Sequence, residues 1–412
     1  MAKKESSKPI GFWFGFYTLF AKFYCWISGF KIDRTLLKEQ VKRSNEEKKG
    51  FIVIYNHSGT KDHFILTAGL NGHKANYVLA KTFYYNKWIR LVTGWVRAIF
   101  KDQFVADLQS IRKMKRAVDR PGILTIAPAG QMTIDGGEQF VSRGIVKLIR
   151  FCKCDVLGYE IQGVHFRFPK WAKTKRKSKV TAKFVPVLRA EEIKDLTDDE
   201  IFERVCNVAV QNLQDYQEKH MNIIKGKNLA SGLEGELYIC PKCHAKHENY
   251  TVEDKIICKK CGNTHIYNNY GFLETVGNSV GYRREDYWNR WQQDYIKDIV
   301  KNNDDFELVG KFDLHRNLRK ETVIEKWATG TIHLTKTRLY FEGVTKEGVE
   351  FTKEFAKNAV FQLPHSTALY FYIPDSEGSF KFYPVENPTI VNEFVQTIDA
   401  MREIEEENGK VF

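Results

Sequence analysis

The chain has 412 residues, too many for one ordinary hydrophobic core, so two or three domains are expected. Its 43% apolar and 28% charged residues exclude a largely disordered chain, and Phe (29) and Tyr (19) are unusually frequent. The formal charge of +13 predicts attraction to polyanions, a demand that nucleic acid, anionic lipid headgroups or an acidic carrier protein would each satisfy. Four of the eight cysteines fall in two CxxC pairs, whereas Cys25, Cys152, Cys154 and Cys206 are scattered, which indicates a reduced compartment with one metal site and not a disulfide framework.

Residues 1–34 are expected to form an aromatic membrane-anchoring segment. Ten aromatic side chains lie between Phe12 and Phe30, with Lys3, Lys4 and Lys8 before them and Lys31 and Arg34 after. A signal peptide would show a simpler apolar core and a small-residue cleavage site. Lys22 also interrupts the run of about 20 apolar residues that a spanning helix requires. Aromatics flanked by lysines prefer the headgroup boundary, so a helix or helical pair lying in one leaflet is favoured over a spanning helix or an ordinary core helix.

From residue 35 to about 228, strand-like runs alternate with helical stretches. FIVIY (51–55) precedes a helix from about Asp62; ANYVLA follows, then KMKRAVDR before GILTIAP and GIVKLIRFCK before DVLGYEIQG. This alternation is an α/β signature, a mixed sheet flanked by helices. LTDDEIFERVCNVAVQNLQDYQ opens with a capping box at Thr197 and Glu200 and reads as one long helix that closes the domain.

The chemistry concentrates in YNHSGTKDHF. A histidine that takes a proton from an alcohol needs its other ring nitrogen held by an acceptor, usually a carboxylate, and His57 and Asp62 could supply that pair. Five positions do not share a helical face, so His57 is expected on the loop after the strand and Asp62 in the first helical turn. Such a turn would aim N–H groups at a developing oxyanion.

The strand, N-H-x4-D, helix order, followed by GWVRAIFKDQ (94–103) and IAPAGQMTIDG (126–136), resembles the glycerolipid acyltransferase family of the lysophosphatidate type. The resemblance covers roughly residues 10–225 and includes the aromatic segment. It implies that His57 is the general base on an acceptor hydroxyl, that Asp62 orients it, and that the hydroxyl attacks an acyl thioester directly. Ser58 then reads as a helix cap. The later motifs depart from the family pattern. Gln103 follows Phe100-Lys101-Asp102 where an arginine is usual; Pro128, Ala129, Gly130, Gln131 and Met132 keep only the proline and glycine of the third motif; Gly158 replaces the usual proline of the fourth. Two arginines that would grip the acceptor phosphate are thereby absent. Either other groups near the mouth take that role, with Lys61, Arg97, Lys101, Gly130, Gln131 and Arg143 as candidates, or the acceptor is a different lipid alcohol. Ala129, where the family usually carries a glutamate, leaves open a non-catalytic homologue.

In VHFRFPKWAKTKRKSKV, the aromatics Phe166, Phe168 and Trp171 interleave with seven cations, and contact with an anionic membrane surface is expected. Cys240, Cys243, Cys258 and Cys261, with fourteen residues between the pairs, fit a four-thiolate structural zinc ribbon over residues 229–272. Four sulfurs saturate the ion, so His244, His247 and His265 are expected at the surface. Residues 273–305 read as a connecting helix. Residues 306–412, with alternating segments TGTIHLTKTRLYFEG, VEFTKEF, NAVFQL, ALYFYIP and SFKFYP before one amphipathic helix, resemble the pleckstrin-homology or GRAM type by element order.

The expected function is a membrane-associated O-acyltransferase at the cytoplasmic face of the cell membrane. It would take an acyl chain from acyl carrier protein or coenzyme A and pass it to a lysolipid hydroxyl, with zinc purely structural. A non-catalytic lipid-binding scaffold is the alternative, and nucleic acid is not an expected partner because it leaves the aromatic segment unexplained.

Overall fold

The computed structural model describes residues 8–103, 107–318, 324–357, 360–374 and 378–410. Lys3 and Lys4 of the aromatic segment, Asn358 and Ala359 of NAVFQL, and Ser376 and Glu377 of the SEG turn lie outside the described residues. Backbone packing divides the chain into two units, the first running to residue 133 and continuing through 137–168 and 178–220, the second comprising 134–136, 169–177 and 221–412.

The first unit contains helices α1 (Gly11–Ile27), α2 (Thr35–Glu46), α3 (Asp62–Leu70), α4 (Lys87–Trp95), α5 (Leu108–Val118), α6 (Gly144–Cys152), α7 (Val164–Arg167), α8 (Asp198–Ala209) and α9 (Leu213–His220). Its strands are β1 (Lys31–Asp33), β2 (Phe51–Tyr55), β3 (Ala75–Ala80), β4 (Ile99–Lys101), β5 (Ile123–Ile126), β6 (Val156–Gln162) and β8 (Thr181–Leu188), in the order β1-β8-β6-β2-β5-β3-β4. Strand β2 is central and parallel to both β5 and β6, while β8 runs antiparallel to β6. All five residues of β2 are buried, as a strand covered on both faces requires, which is why FIVIY is continuously apolar. Ile52 and Ile54 face a core built with Val146 and Ile149 of α6 and Val205 and Val208 of α8. A Cβ on Gly158 would come within 2.8 Å of Val208 and 2.7 Å of Val185, so the close approach of α8 to β6 accounts for glycine there.

Helix α1 packs on α3 through Phe14, Thr18, Ala21 and Cys25, spaced three or four apart. Its other face leaves Phe12, Phe16, Leu19, Phe23 and Trp26 exposed, Phe12 and Trp26 by three quarters. Among the described residues no helix is long and apolar enough to cross a membrane.

The long helix expected from Thr197 is two helices. The capping box forms at Thr197 and Glu200, but the helix stops at Ala209, and Asn212 starts α9 by accepting the amides of Gln214 (2.9 Å) and Asp215 (3.1 Å). Asparagine competes for local backbone donors in this way and therefore favours helix starts.

The second unit pairs β7 (Arg176–Lys177) with β9 (Lys225–Gly226) and holds a four-stranded antiparallel sheet, β10 (Asn249–Val252), β11 (Lys255–Cys258), β12 (Thr264–Tyr267) and β13 (Leu273–Thr275). Helix α10 (Glu285–Asn302) leads to β14 (Glu307–Leu318), β15 (Glu325–Thr335), β16 (Leu339–Thr345), β17 (Glu350–Phe355), β18 (His365–Ser366), β19 (Tyr370–Pro374) and β20 (Gly378–Pro384). These seven form one antiparallel sheet in the order β17-β16-β15-β14-β20-β19-β18, followed by α11 (Ile390–Glu407). Strand β14, the longest in the unit, is not apparent in the sequence pattern, and Val360–Leu363 of NAVFQL is not a strand. Helix α10 does more than connect: Ile296 and Val300 share a core with Tyr238 and Ile239, with Phe312, Phe341 and Phe382 of the sheet, and with Phe394 of α11.

Two of the three rings in the aromatic and basic stretch 164–179 are turned inward. Phe166 and Trp171 are buried; within the second unit the Trp171 indole donates to Glu285 Oε2 (3.0 Å), and the buried Arg176 guanidinium lies 4.3 Å over the Trp171 ring. Alternation of aromatics and cations served an internal cation–π stack here.

Lys170 Nζ lies 2.9 Å from His365 Nε2, and burial pulls the Lys170 ammonium from its ordinary 10.5 down to about 7. The folded chain therefore binds fewer protons than the unfolded chain between those values, so stability from this group rises with pH from about 7 to about 10. Asp399, pushed up to about 7 by burial, acts below that window. Lys170→Met is expected to raise the urea midpoint at pH 7 and to flatten its increase between pH 7 and 9; equal slopes for the two proteins would contradict this.

Candidate active site

Asn56, His57 and Asp62 are placed by β2 and the start of α3. Past the last ladder residue, Asn56 continues the strand's pairing with its side chain: Ile161 N donates to Asn56 Oδ1 and Asn56 Nδ2 donates to Ile161 O, both at 2.8 Å. This two-point clamp fixes where the chain leaves the sheet, and Asn56 Nδ2 also donates to Ser58 Oγ at 3.0 Å. Ser58 therefore does not cap α3. A Cβ on Gly59 would lie 2.5 Å from Val164 Cγ2, so only glycine lets the loop pass beneath α7.

Asp62 is 1% exposed in the first turn of α3, where a carboxylate suits the helix dipole. Its Oδ2 accepts from Ser58 N (2.8 Å) and Gly59 N (3.0 Å) and lies 2.9 Å from His57 Nδ1. Three contacts on one oxygen hold the carboxylate still. The imidazole is about one-third exposed, so Nε2 is its open edge. Because Asp62 accepts only, Nδ1 carries the hydrogen and Nε2 is left with a lone pair. A buried acceptor thus sets the tautomer that a general base requires.

The expected supply of free N–H groups at this turn is not met at four of its positions. The Ser58 and Gly59 amides serve Asp62, Thr60 N donates to Phe168 O (3.2 Å) and Asp62 N donates to Gly59 O (3.2 Å).

The loop after β5 joins the same site. Thr133 N donates to His57 O at 3.0 Å, and Gly130, at φ +73°, accepts from the side chain of Gln103. Gln103, whose role the sequence alone does not suggest, thus ties the end of β4 to this loop. Gln131 O accepts from Gln139 Nε2 (2.7 Å), whereas Gln131 Oε1 is buried without a partner among the described residues.

The other cation candidates separate. Lys61 is half-buried beside Asp62. Lys101 Nζ donates to Asp102 O (3.0 Å), and burial lowers its pKa, which weakens it as a permanent charge. Arg143 pairs with Asp199 of α8 at 2.5 Å and lies 4.8 Å over the Phe202 ring, contacts that its guanidinium already makes within the first unit. Arg97 lines a groove along α4.

In the second unit, the ligand atoms of Cys240, Cys243, Cys258 and Cys261 lie within 4.8 Å of one another, with Cys240 to Cys261 at 3.6 Å and Cys243 to Cys258 at 3.8 Å. Zinc–sulfur bonds of about 2.3 Å in a tetrahedron demand sulfur separations of about 3.8 Å, so this donor set fits the ion. The N–H groups of Lys242 and Cys243 point to Cys240 Sγ and those of Lys260 and Cys261 to Cys258 Sγ, as thiolates rather than thiols would want. Of the neighbouring histidines, His265 is buried 4.8 Å from Trp288, and His247 is bound to Thr389 Oγ1 (2.6 Å) and Glu393 Oε2 (2.7 Å); neither is the surface residue expected.

No family model matches the sequence, and no curated protein does. Among solved structures the chain is similar to the 1-acyl-sn-glycerophosphate (LPA) acyltransferase PlsC from Thermotoga maritima, at 16% identity, over 50% of this chain and 79% of that one, with a TM-score of 0.39. A likeness this weak decides nothing about chemistry, which rests on His57, Asp62 and their surroundings.

Proposed function

We propose that the protein is a membrane-associated O-acyltransferase that moves an acyl chain from a thioester of acyl carrier protein or coenzyme A to the hydroxyl of a lysophospholipid or related glycerolipid. The observation that carries this reading is the 2.9 Å contact between His57 Nδ1 and a buried, doubly amide-bound Asp62 carboxylate. His57 Nε2 takes the proton of the acceptor hydroxyl as its oxygen attacks the thioester carbonyl. When the C–S bond breaks, the imidazolium returns that proton to the departing thiolate, and Asp62 stabilises the transient charge. No covalent enzyme intermediate is needed, and Ser58, next to His57, is buried and hydrogen-bonded to Asn56.

The exposed face of α1 supports the membrane part. Leaving Phe12, Phe16, Phe23 and Trp26 in water forgoes about 1.5–3 kcal/mol for each large side chain, a loss recovered if the helix lies in one leaflet. The four cysteines would hold structural zinc, which supplies folding energy and no catalytic step, and the seven strands with α11 would form a pleckstrin-homology-type module.

The test is acyl transfer by His57→Ala, expected to fall to background while the fold persists. A protein that binds lipid stoichiometrically but makes no product would instead fit the scaffold reading, which the buried Ala129 favours at the position where a glutamate is usual in the resembled family.

A further inference from the structure

Helix α4 presents Lys87, Arg90, Leu91 and Gly94 on one face, at helical spacing, and with Ile10, Trp95 and Arg97 they line an open groove of about 660 Å³ in the first unit. The groove is fastened at both ends. Asn86 caps α4 by accepting the amides of Trp88 (3.0 Å) and Ile89 (3.2 Å); Ile10 N donates to Trp95 O (2.8 Å), and Trp13 stacks on Trp95 at 4.4 Å. Among the described residues, three cations and no carboxylate line it. Arg97 Nε is buried without a hydrogen-bond partner among the described residues, while Arg90 reaches Tyr84 O at 3.3 Å. Beside the cations, Trp88 is 69% and Leu91 52% exposed, and the exposed Phe12 packs edge-on at 5.2 Å against Trp13, the ring that stacks on Trp95.

An occupant must therefore bring anionic oxygens and apolar chains together. Nucleic acid or an acidic protein would answer the cations and leave the rings in water. We infer that this groove is a headgroup site for an anionic membrane phospholipid, with Lys87, Arg90 and Arg97 around the phosphate and Trp88, Leu91 and Phe12 among the acyl chains. The inference rests on the membrane-associated reading above and names the lipid class it selects.

Vesicle flotation of the full-length protein tests it, with phosphatidylcholine alone against phosphatidylcholine containing phosphatidylglycerol. Wild type is expected to bind the anionic vesicles about tenfold or more tighter, since each cation at such a surface contributes about fivefold. Lys87→Glu, which leaves the Arg90 contact to Tyr84 in place, and Lys87→Glu with Arg90→Gln should progressively erase that preference. Lys255→Glu, an exposed charge reversal on β11, should change it less than about twofold. Equal binding to both vesicles, no binding to either, equal losses at Lys87 and Lys255, or displacement by millimolar glycerol phosphate would each overturn the assignment. His57→Ala floats as wild type whether or not it retains turnover, so failure of the catalytic reading and failure of this one are separable.

Discussion

Chelating zinc from the purified protein is expected to lower the melting temperature of the second unit by more than about 10 °C. Structural zinc contributes apparent binding energies of about 10–16 kcal/mol in small peptides, comparable with the whole stability of an ordinary domain. Even half of that shifts the melting of a unit of this size by roughly 10–30 °C. The effect should spread beyond the ribbon, because Tyr238 and Ile239, immediately before Cys240, are buried in the core shared with Ile296 and Phe312, and the Trp288 indole donates to Ile239 O at 3.0 Å. Cys258→Ser should reproduce the shift without chelator. One zinc per chain by elemental analysis and a chelator-dependent melt are the expected results; an unchanged melt with no bound metal would contradict them. Melting of the first unit, followed through its own tryptophans, should move little.

Asp62→Asn is expected to reduce acyl transfer roughly 10³–10⁴-fold with the fold retained. The amide is nearly the same size, but its NH₂ offers hydrogens where Ser58 N, Gly59 N and His57 Nδ1 all present theirs. All three contacts fall on one oxygen, so an amide oxygen in that place keeps them and loses only the negative charge that stabilises the imidazolium. An NH₂ there meets three donors at once and favours the tautomer with its hydrogen on Nε2, the nitrogen that must accept the acceptor's proton. The loss should appear in turnover and not in the apparent affinity for the acyl donor, and raising the pH should not restore it. Asp62→Asn with full activity would mean that the carboxylate only shapes the loop.

Much of this site was legible before any coordinates. A continuous apolar pentapeptide followed by N-H-x4-D specifies a buried strand, a loop and an acidic first helical turn, because each depends on local chemistry. The clamp between Asn56 and Ile161 could not be read, since its partners are 105 positions apart. Gln103 was visible only as a missing arginine, and its bond to Gly130 depends on how β4 and the loop after β5 converge. Composition misled at Trp171 and Arg176, where cations among aromatics look the same in sequence whether they face lipid or stack on one another. The zinc cysteines were plain from spacing, whereas the burial of His265 against Trp288 follows from α10, a helix whose apolar stripe does not announce its partner.

The most direct test of the central claim is acyl transfer by purified, zinc-replete protein in mixed micelles. Acyl carrier protein and coenzyme A thioesters would be offered against lysophosphatidate, several lysophospholipids and a glycolipid, with His57→Ala alongside. Acylated product from at least one pair, abolished in His57→Ala with its melting curve unchanged, is the result expected. Product from lysophosphatidate alone would assign the phosphate-gripping role to other cations, and product from other acceptors would trace the altered motifs to a changed acceptor. Turnover untouched by His57→Ala, or no product from any pair, would contradict the account.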